Sequence, residues 1–193
     1  MLFHSRVTSS VKDRYYHVWI TPVRDQVFFA NNIDKAYVIS LLQDLLSPRN
    51  RKFAPSIDLI AYSLTDFGIN LLICTSSATE LELFAQQLLT TYADFLNAQR
   101  SWEVLPFNTI FAYDNLTDEH DALAISREIH LLHDDWRHDR YSSIGFYIDD
   151  RRGDWIQPWR LTDLFGNDAL WYQDFMIDEL RFETSKEYEY LEI

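Results

Sequence analysis

Basic residues are scarce in this chain: 17 Lys and Arg stand against 30 Asp and Glu among 193 residues, a formal net charge of −13. Neutralising phosphates supplies most nonspecific affinity for duplex DNA, so this balance argues against strong DNA binding. Cysteine is scarcer still. Cys74 is the only one and sits in an apolar run, which excludes an intramolecular disulfide and a cysteine-rich zinc site and fits a reducing cytosol. The 4 glycines form no glycine-rich phosphate loop, so a P-loop or dinucleotide-binding fold has no support, and no Ser/His/Asp motif has a recognisable form. Met1 to Arg6 shows no apolar signal region, and no uninterrupted apolar stretch approaches the roughly 20 residues that span a bilayer. The expectation is a soluble, cytoplasmic chain with no membrane partner.

What the chain does have is enough apolar material, 47% of its residues, for one compact domain or one domain with a C-terminal extension. Tyr15 to Thr21, rich in aromatic and β-branched residues, reads as a strand, and Val27-Phe28-Phe29-Ala30 as a second short extended run. Asn32 is placed to cap a helix from Ile33 to Leu46, where Ile33, Tyr37, Leu41 and Leu45 recur every four residues and Pro48 marks the stop. Ile57 to Ser63 and Gly68 to Thr75 read as two strands around a tight Thr65-Asp66-Phe67-Gly68 connection, a hairpin at the centre of the sheet. Ser77-Ala78-Thr79-Glu80 is a capping-box pattern. It opens a helix to about Asn97 with Leu81, Phe84, Ala85, Leu88, Leu89, Tyr92, Ala93 and Leu96 on one apolar face.

Asn108 to Tyr113 reads as a further strand, and Thr117 as the cap of a helix that runs to about His133. The segment Trp155 to Gly166 and a last helix from about Asp168 to Leu180 follow. The order strand, helix, strand, strand, helix, strand implies an α+β fold, a ferredoxin-like antiparallel sheet with helices on one face and a C-terminal helical extension. Residues 1–150 would form that domain and 151–193 an extension packed on it. Topology alone does not fix an activity.

The stretch Ala61-Tyr62-Ser63-Leu64-Thr65-Asp66-Phe67-Gly68-Ile69-Asn70-Leu71-Leu72-Ile73 carries a resemblance, supported by Tyr16-His17-Val18, by Thr91 to Asn97, by Ser126-Arg127-Glu128-Ile129-His130-Leu131-Leu132-His133, by Tyr141-Ser142-Ser143 and by Trp159 to Gly166. In this order they resemble the landmarks of REP-associated tyrosine transposases and related single-tyrosine insertion-sequence transposases, over roughly Tyr15 to Phe175. In that family a phenolate opens a DNA phosphodiester while a divalent metal, held by two histidines and a helix asparagine, polarises the phosphate.

The resemblance implies that Gly68 and Asn70 stand where the two metal-binding histidines would be, Glu128 where the nucleophilic tyrosine would be, and Leu132 where the asparagine would be. A carboxylate repels phosphate and forms only a hydrolysis-prone anhydride, and leucine has no lone pair to offer. The family's basic segment after the long helix is also depleted, leaving Arg100 as its one cation between Leu96 and Phe111. The expectation is therefore a catalytically inactive, transposase-like protein without metal or cofactor, homodimeric like the family, acting as a binding or regulatory module toward an unknown protein partner. The alternative is a binder of hairpin or single-stranded DNA that keeps recognition without cleavage. Its contacts would be the clustered cations Arg49, Arg51, Lys52, Arg151 and Arg152.

Other candidates have plainer readings. His130, His133, Asp134 and His138 have spacings that suit a metal, but the interleaved Asp135, Arg137, Asp139 and Arg140 favour a solvated, charged helix end. Tyr92, the one conceivable replacement nucleophile, falls in the apolar register and reads as core. Trp19, Trp102, Trp136, Trp155, Trp159 and Trp171 read mostly as core or interface.

Overall fold

The computed structural model describes residues 13–22, 27–49, 52–100, 109–149, 151–166 and 168–177. Four strands, β1 (Arg14–Pro22), β2 (Ile57–Thr65), β3 (Gly68–Thr75) and β4 (Thr109–Leu116), form one antiparallel sheet in the order β2-β3-β1-β4. The helices are α1 (Asn32–Leu46), α2 (Ala78–Arg100), α3 (Glu119–His130), the short α4 (Gly145–Ile148) and α5 (Trp159–Thr162), and α6 (Ala169–Ile177). The β2–β3 hairpin lies to one side of the sheet, and the two inner strands are β1 and β3. The sequence places strong strand formers in all three, so periodicity alone does not rank their positions.

Alternation along the strands sends Tyr16, Val18, Ile20, Ile69, Leu71 and Ile73 to one face, where α1 and α2 cover them. Leu81, Phe84, Leu88 and Tyr92 are fully buried there, as the helical period requires. The opposite face is equally apolar. Tyr15, Ile60, Ala61, Leu72 and Cys74 pack with Ala122, Leu123, Ile129, Ile144, Tyr147, Leu161 and Tyr172, so α3 and the helices after it cover a second layer and helices lie on both faces. A sheet with two apolar faces needs two covers. A register shift between Leu59 and Ala61 turns both Ile60 and Ala61 toward this second layer, and the freed Ile60 carbonyl accepts a 2.8 Å bond from the Tyr147 hydroxyl.

Several local expectations shift. Val27 to Ala30 is irregular rather than a strand: Phe28 N–H donates to the Asp66 carbonyl at 2.8 Å, while the Phe28 carbonyl accepts from Tyr92 Oη at 3.3 Å, and both phenylalanines are buried. Asn31, not Asn32, caps α1, its Oδ1 accepting from Ile33 N and Asp34 N at 2.8 and 3.1 Å. Ile33 is consequently exposed, and the buried face runs through Asp34, Val38, Leu41, Leu42 and Leu46. At α2 only half of the capping box forms. Ser77 Oγ accepts from Glu80 N at 3.3 Å, but Ser77 N–H goes to Thr75 Oγ1. Asp118 rather than Thr117 caps α3, accepting from His120 N and Asp121 N, because a carboxylate is the stronger acceptor for those amides. The helix closes at His130, with Leu131 N–H bonded to the Arg127 carbonyl, short of the expected His133.

The chain after residue 150 joins both layers. Trp155 and Ile156 enter the α1/α2 core, and Gln157 N–H donates to the Leu59 carbonyl at 2.7 Å. Arg160 Nε reaches Asp58 Oδ2 at 2.7 Å and its Nη2 reaches Asp13 Oδ2 at 3.2 Å. The expected last helix lies within the described residues as far as Ile177; residues 178–193 of the expected extension lie outside them.

Candidate functional site

Gly68 opens β3 directly after the two-residue turn Asp66-Phe67. Thr65 Oγ1 holds the turn, accepting from Phe67 N at 3.2 Å, and Asp66 is tied to Lys35 Nζ at 2.6 Å. The Gly68 backbone has φ +154°, a region side chains other than glycine rarely adopt. A Cβ there would stand 2.2 Å from the Ile20 carbonyl oxygen on β1. No side chain of any kind fits this position without moving the inner strand pair.

Asn70 follows on the second face, half-buried, between Trp19 and Ser63 on the flanking strands. It lines a concave site of about 530 Å³ with Lys35, Thr65, Asp66, Phe67, Leu132 and His133. Of the four positions the resemblance singles out, this cavity brings together two, Asn70 and Leu132. Leu132 lies beyond the end of α3 and is 46% exposed rather than sealing the site. Glu128 sits on the exposed side of α3. The four positions do not supply a divalent site: Asn70 and Leu132 offer an amide and an alkyl group and Gly68 leaves no room for an imidazole, while of the other lining groups Asp66 is held by Lys35 and His133 Nε2 lies against Asp139. Among the described residues, no group of three or more His, Cys, Asp or Glu is placed to hold a metal.

His17 lies on β1 opposite Asp114, two residues before Trp19, the partner of Asn70 across the strand pair. Burial pushes its pKa below the usual imidazole value, while a hydrogen bond donated to Asn70 and the charges of Glu128 and Asp114 act in the opposite sense. Its Nε2 is enclosed without a hydrogen-bond partner. In the sequence His17 stands only within Tyr16-His17-Val18, which gives it no role of its own.

The retained part of the α3 motif is structural. His130 is wholly buried, with Nδ1 2.8 Å from Tyr172 Oη and Nε2 2.7 Å from Ser143 Oγ. Ser126 Oγ donates to the Leu123 carbonyl at 2.7 Å and lies 2.9 Å from Tyr172 Oη, while Tyr62 N–H donates to Ser143 Oγ at 2.8 Å. Ser143 Oγ also lies 3.2 Å from the Tyr62 carbonyl, so either tautomer satisfies the chain: Ser143 donates to Nε2 and Nδ1–H to Tyr172, or Nε2–H donates to Ser143, which donates to Tyr62, and Tyr172 donates to Nδ1. Burial then lowers the His130 pKa to about 3, so the ring stays neutral. His130 is therefore no metal ligand. Tyr172 and Ser143, 42 and 13 residues away, carried no sequence signal for this role, although Ser126 and His130 stand at the i, i+4 spacing of a shared helix face.

His133 Nε2 approaches Asp139 Oδ2 at 3.3 Å without hydrogen-bond geometry, and the exposed His138 pairs with Asp135 at 2.9 Å. Burial pushes the Cys74 thiol up to about 12, which makes it a poor nucleophile or ligand. Tyr92 is buried against Phe28 and Phe29.

The candidate nucleic-acid cations do not form one array. Arg49 and Lys52 are exposed near the C-terminal end of α1, where Lys52 Nζ bonds Gln87 at 3.0 Å; Arg51 lies outside the described residues, as does Trp102. Arg151 packs its guanidinium against Gly145 and over the Phe146 ring, and Nη1 reaches the Ser142 carbonyl at 3.4 Å. Arg152 is exposed and lines a separate concavity with Phe146, Trp159 and Asp149.

Comparison of the chain with protein-family models, with curated proteins and with solved structures finds no match.

Proposed function

We propose that this chain is a non-catalytic binding or regulatory module on a transposase-like frame. The observation that carries the reading is Gly68: its backbone conformation and the 2.2 Å approach to the Ile20 carbonyl leave no space for the histidine that metal-assisted phosphodiester chemistry would need. The kept residues of the same motifs, Ser126, His130 and Ser143, are buried and serve the core, while the Glu128 position faces solvent without a phenol. Read from the other edge, β4-β1-β3-β2 with two strand-helix-strand passages supports a ferredoxin-like arrangement. The proposal includes a cytoplasmic homodimer, carried by the resemblance and by the single buried thiol.

Calorimetric titration with manganese or magnesium tests it. No saturable heat is expected from the unmodified chain. A tight, stoichiometric site would contradict the reading.

A second reading, recognition of hairpin or single-stranded DNA without cleavage, is favoured by one observation. Arg152 and Trp159 line a single concavity of about 530 Å³, where a base and its phosphate would meet an aromatic ring and a cation. Asp149 in the same lining dilutes that field, so the first reading is preferred.

A further inference from the structure

Helix α6 is apolar nearly all round, a pattern that belongs to a helix covered on every side. Only one side is covered among the described residues. Tyr172, Phe175 and Met176 turn inward onto the α3 layer, and Arg127 also lies on that inner side, its Nε bonded to the Phe175 carbonyl at 3.1 Å. Leu170, Trp171 and Ile177 are left 67%, 62% and 61% exposed. On the helical wheel these three surround Asp174, which is exposed and lies one turn from each. Asp168 is exposed at the start of the same helix.

We propose that the outer face of α6 docks an amphipathic, basic helical segment of a partner protein, with a Lys or Arg set against Asp174 and large apolar side chains packed on Leu170, Trp171 and Ile177. Tryptophan is among the side chains that carry most binding energy at protein interfaces, and the aliphatic neighbours of Trp171 extend the apolar surface around it. Charge selects the occupant. Pairing this face with its own copy brings Asp174 against Asp174, so the proposed homodimer uses another face, and an anionic lipid surface meets the same repulsion. A cationic, helix-forming segment is complementary to both the apolar and the charged parts of this face.

The inference deepens the binding-module reading and rests on it, but its test is separate. The probe is a fluorescein-labelled helical peptide of about 18 residues, with Leu at i, i+3, i+4 and i+7 spacing and Lys elsewhere, beside a counterpart with Glu in place of Lys. Anisotropy with the full chain should give saturable binding of the Lys peptide, on the order of 10⁻⁶ to 10⁻⁵ M, and none of the Glu peptide. Trp171→Ala and Asp174→Lys should each weaken binding by about tenfold. Leu83→Ala, on an exposed site of α2, should leave it unchanged. Trp171 is exposed, so its variant should keep the thermal midpoint; Leu170→Gln serves if it does not.

Equal binding of both peptides, or Lys-peptide binding indifferent to Trp171 and Asp174, overturns the inference. Concentration-dependent dimerisation in sedimentation that Trp171→Ala abolishes also overturns it, in favour of a second copy. A metal-dependent nuclease activity would instead overturn the non-catalytic reading and leave these outcomes readable.

Discussion

The carbonyl oxygen of Ile20 occupies the space that any side chain on Gly68 would need, 2.2 Å from the position of its Cβ. The constraint is backbone against backbone across the two inner strands, so it yields only if the β1–β3 pairing moves. Gly68→Ala therefore combines a strained φ with a main-chain clash, and we expect it to destabilise the fold by about 2 to 5 kcal/mol. Urea denaturation of the two proteins side by side measures this; a change below about 0.5 kcal/mol would mean that the turn relaxes freely.

Asn70 separates from Gly68 in this respect. Its side chain already lines an open cavity, so Asn70→His should fold with little loss, yet the new imidazole would share that cavity with a carboxylate held by Lys35 and with His133, whose Nε2 lies against Asp139, which leaves too few free ligands. Titration of Asn70→His with manganese should show no site tighter than about millimolar. Submicromolar binding would place further ligands around the cavity.

Burial of His130 makes stability depend on pH with a definite sign. The folded state keeps the ring neutral down to about pH 3, whereas the unfolded chain takes up a proton near the ordinary value of 6.5. Between those values the unfolded state binds more protons, so this group's contribution to stability is full above pH 6.5 and falls as pH drops, by about 1.4 kcal/mol per unit. His130→Gln should lose about 2 to 4 kcal/mol at pH 7 and show a shallower acid slope between pH 6 and 4. Identical slopes in denaturant titrations at several pH values would show that another group controls the acid side.

How far these features could be read in advance depended on the reach of each interaction along the chain. The long helix α2 is legible because eight apolar positions hold one period over about four turns, and the turn at Thr65 to Gly68 because its residues are contiguous. Helix α1 was misjudged at Ile33, since apolar residues lie on more than one side of it and the cap one residue earlier sets which side turns in. The aromatic run at Phe28 and Phe29 looks extended locally, but its amide is claimed by Asp66 and its carbonyl by Tyr92. The second apolar layer is present in the sequence as Tyr15, Leu72 and Cys74 alternating with the first, but nothing local to those strands says that α3 and the helices after it return across them. Gly68 reads as a missing imidazole only through the proposed resemblance. That no side chain fits there depends on Ile20, 48 positions earlier in the chain, and only the strand pairing brings the two together.

DNA affinity should be low and carried by few contacts. With Arg151 engaged at Ser142 and Phe146 and the remaining cations scattered, hairpin DNA should bind at about 10⁻⁴ to 10⁻⁶ M at physiological salt. Affinity should fall steeply as salt rises, and Arg152→Glu should reduce it more than Arg49→Glu if Trp159 contributes stacking. Fluorescence anisotropy over a salt series reads both. Nanomolar, sequence-dependent binding would promote the recognition reading over the protein-partner one.

The central claim, that this frame has no transposase chemistry, is tested most directly by incubating the chain with labelled hairpin DNA and manganese, then resolving the products on a denaturing gel. A functioning phenolate would leave DNA covalently joined to protein together with a nicked strand. The account predicts intact DNA and no adduct at any manganese concentration, and no rescue by Glu128→Tyr alone. A metal-dependent covalent adduct on the unmodified chain would contradict it.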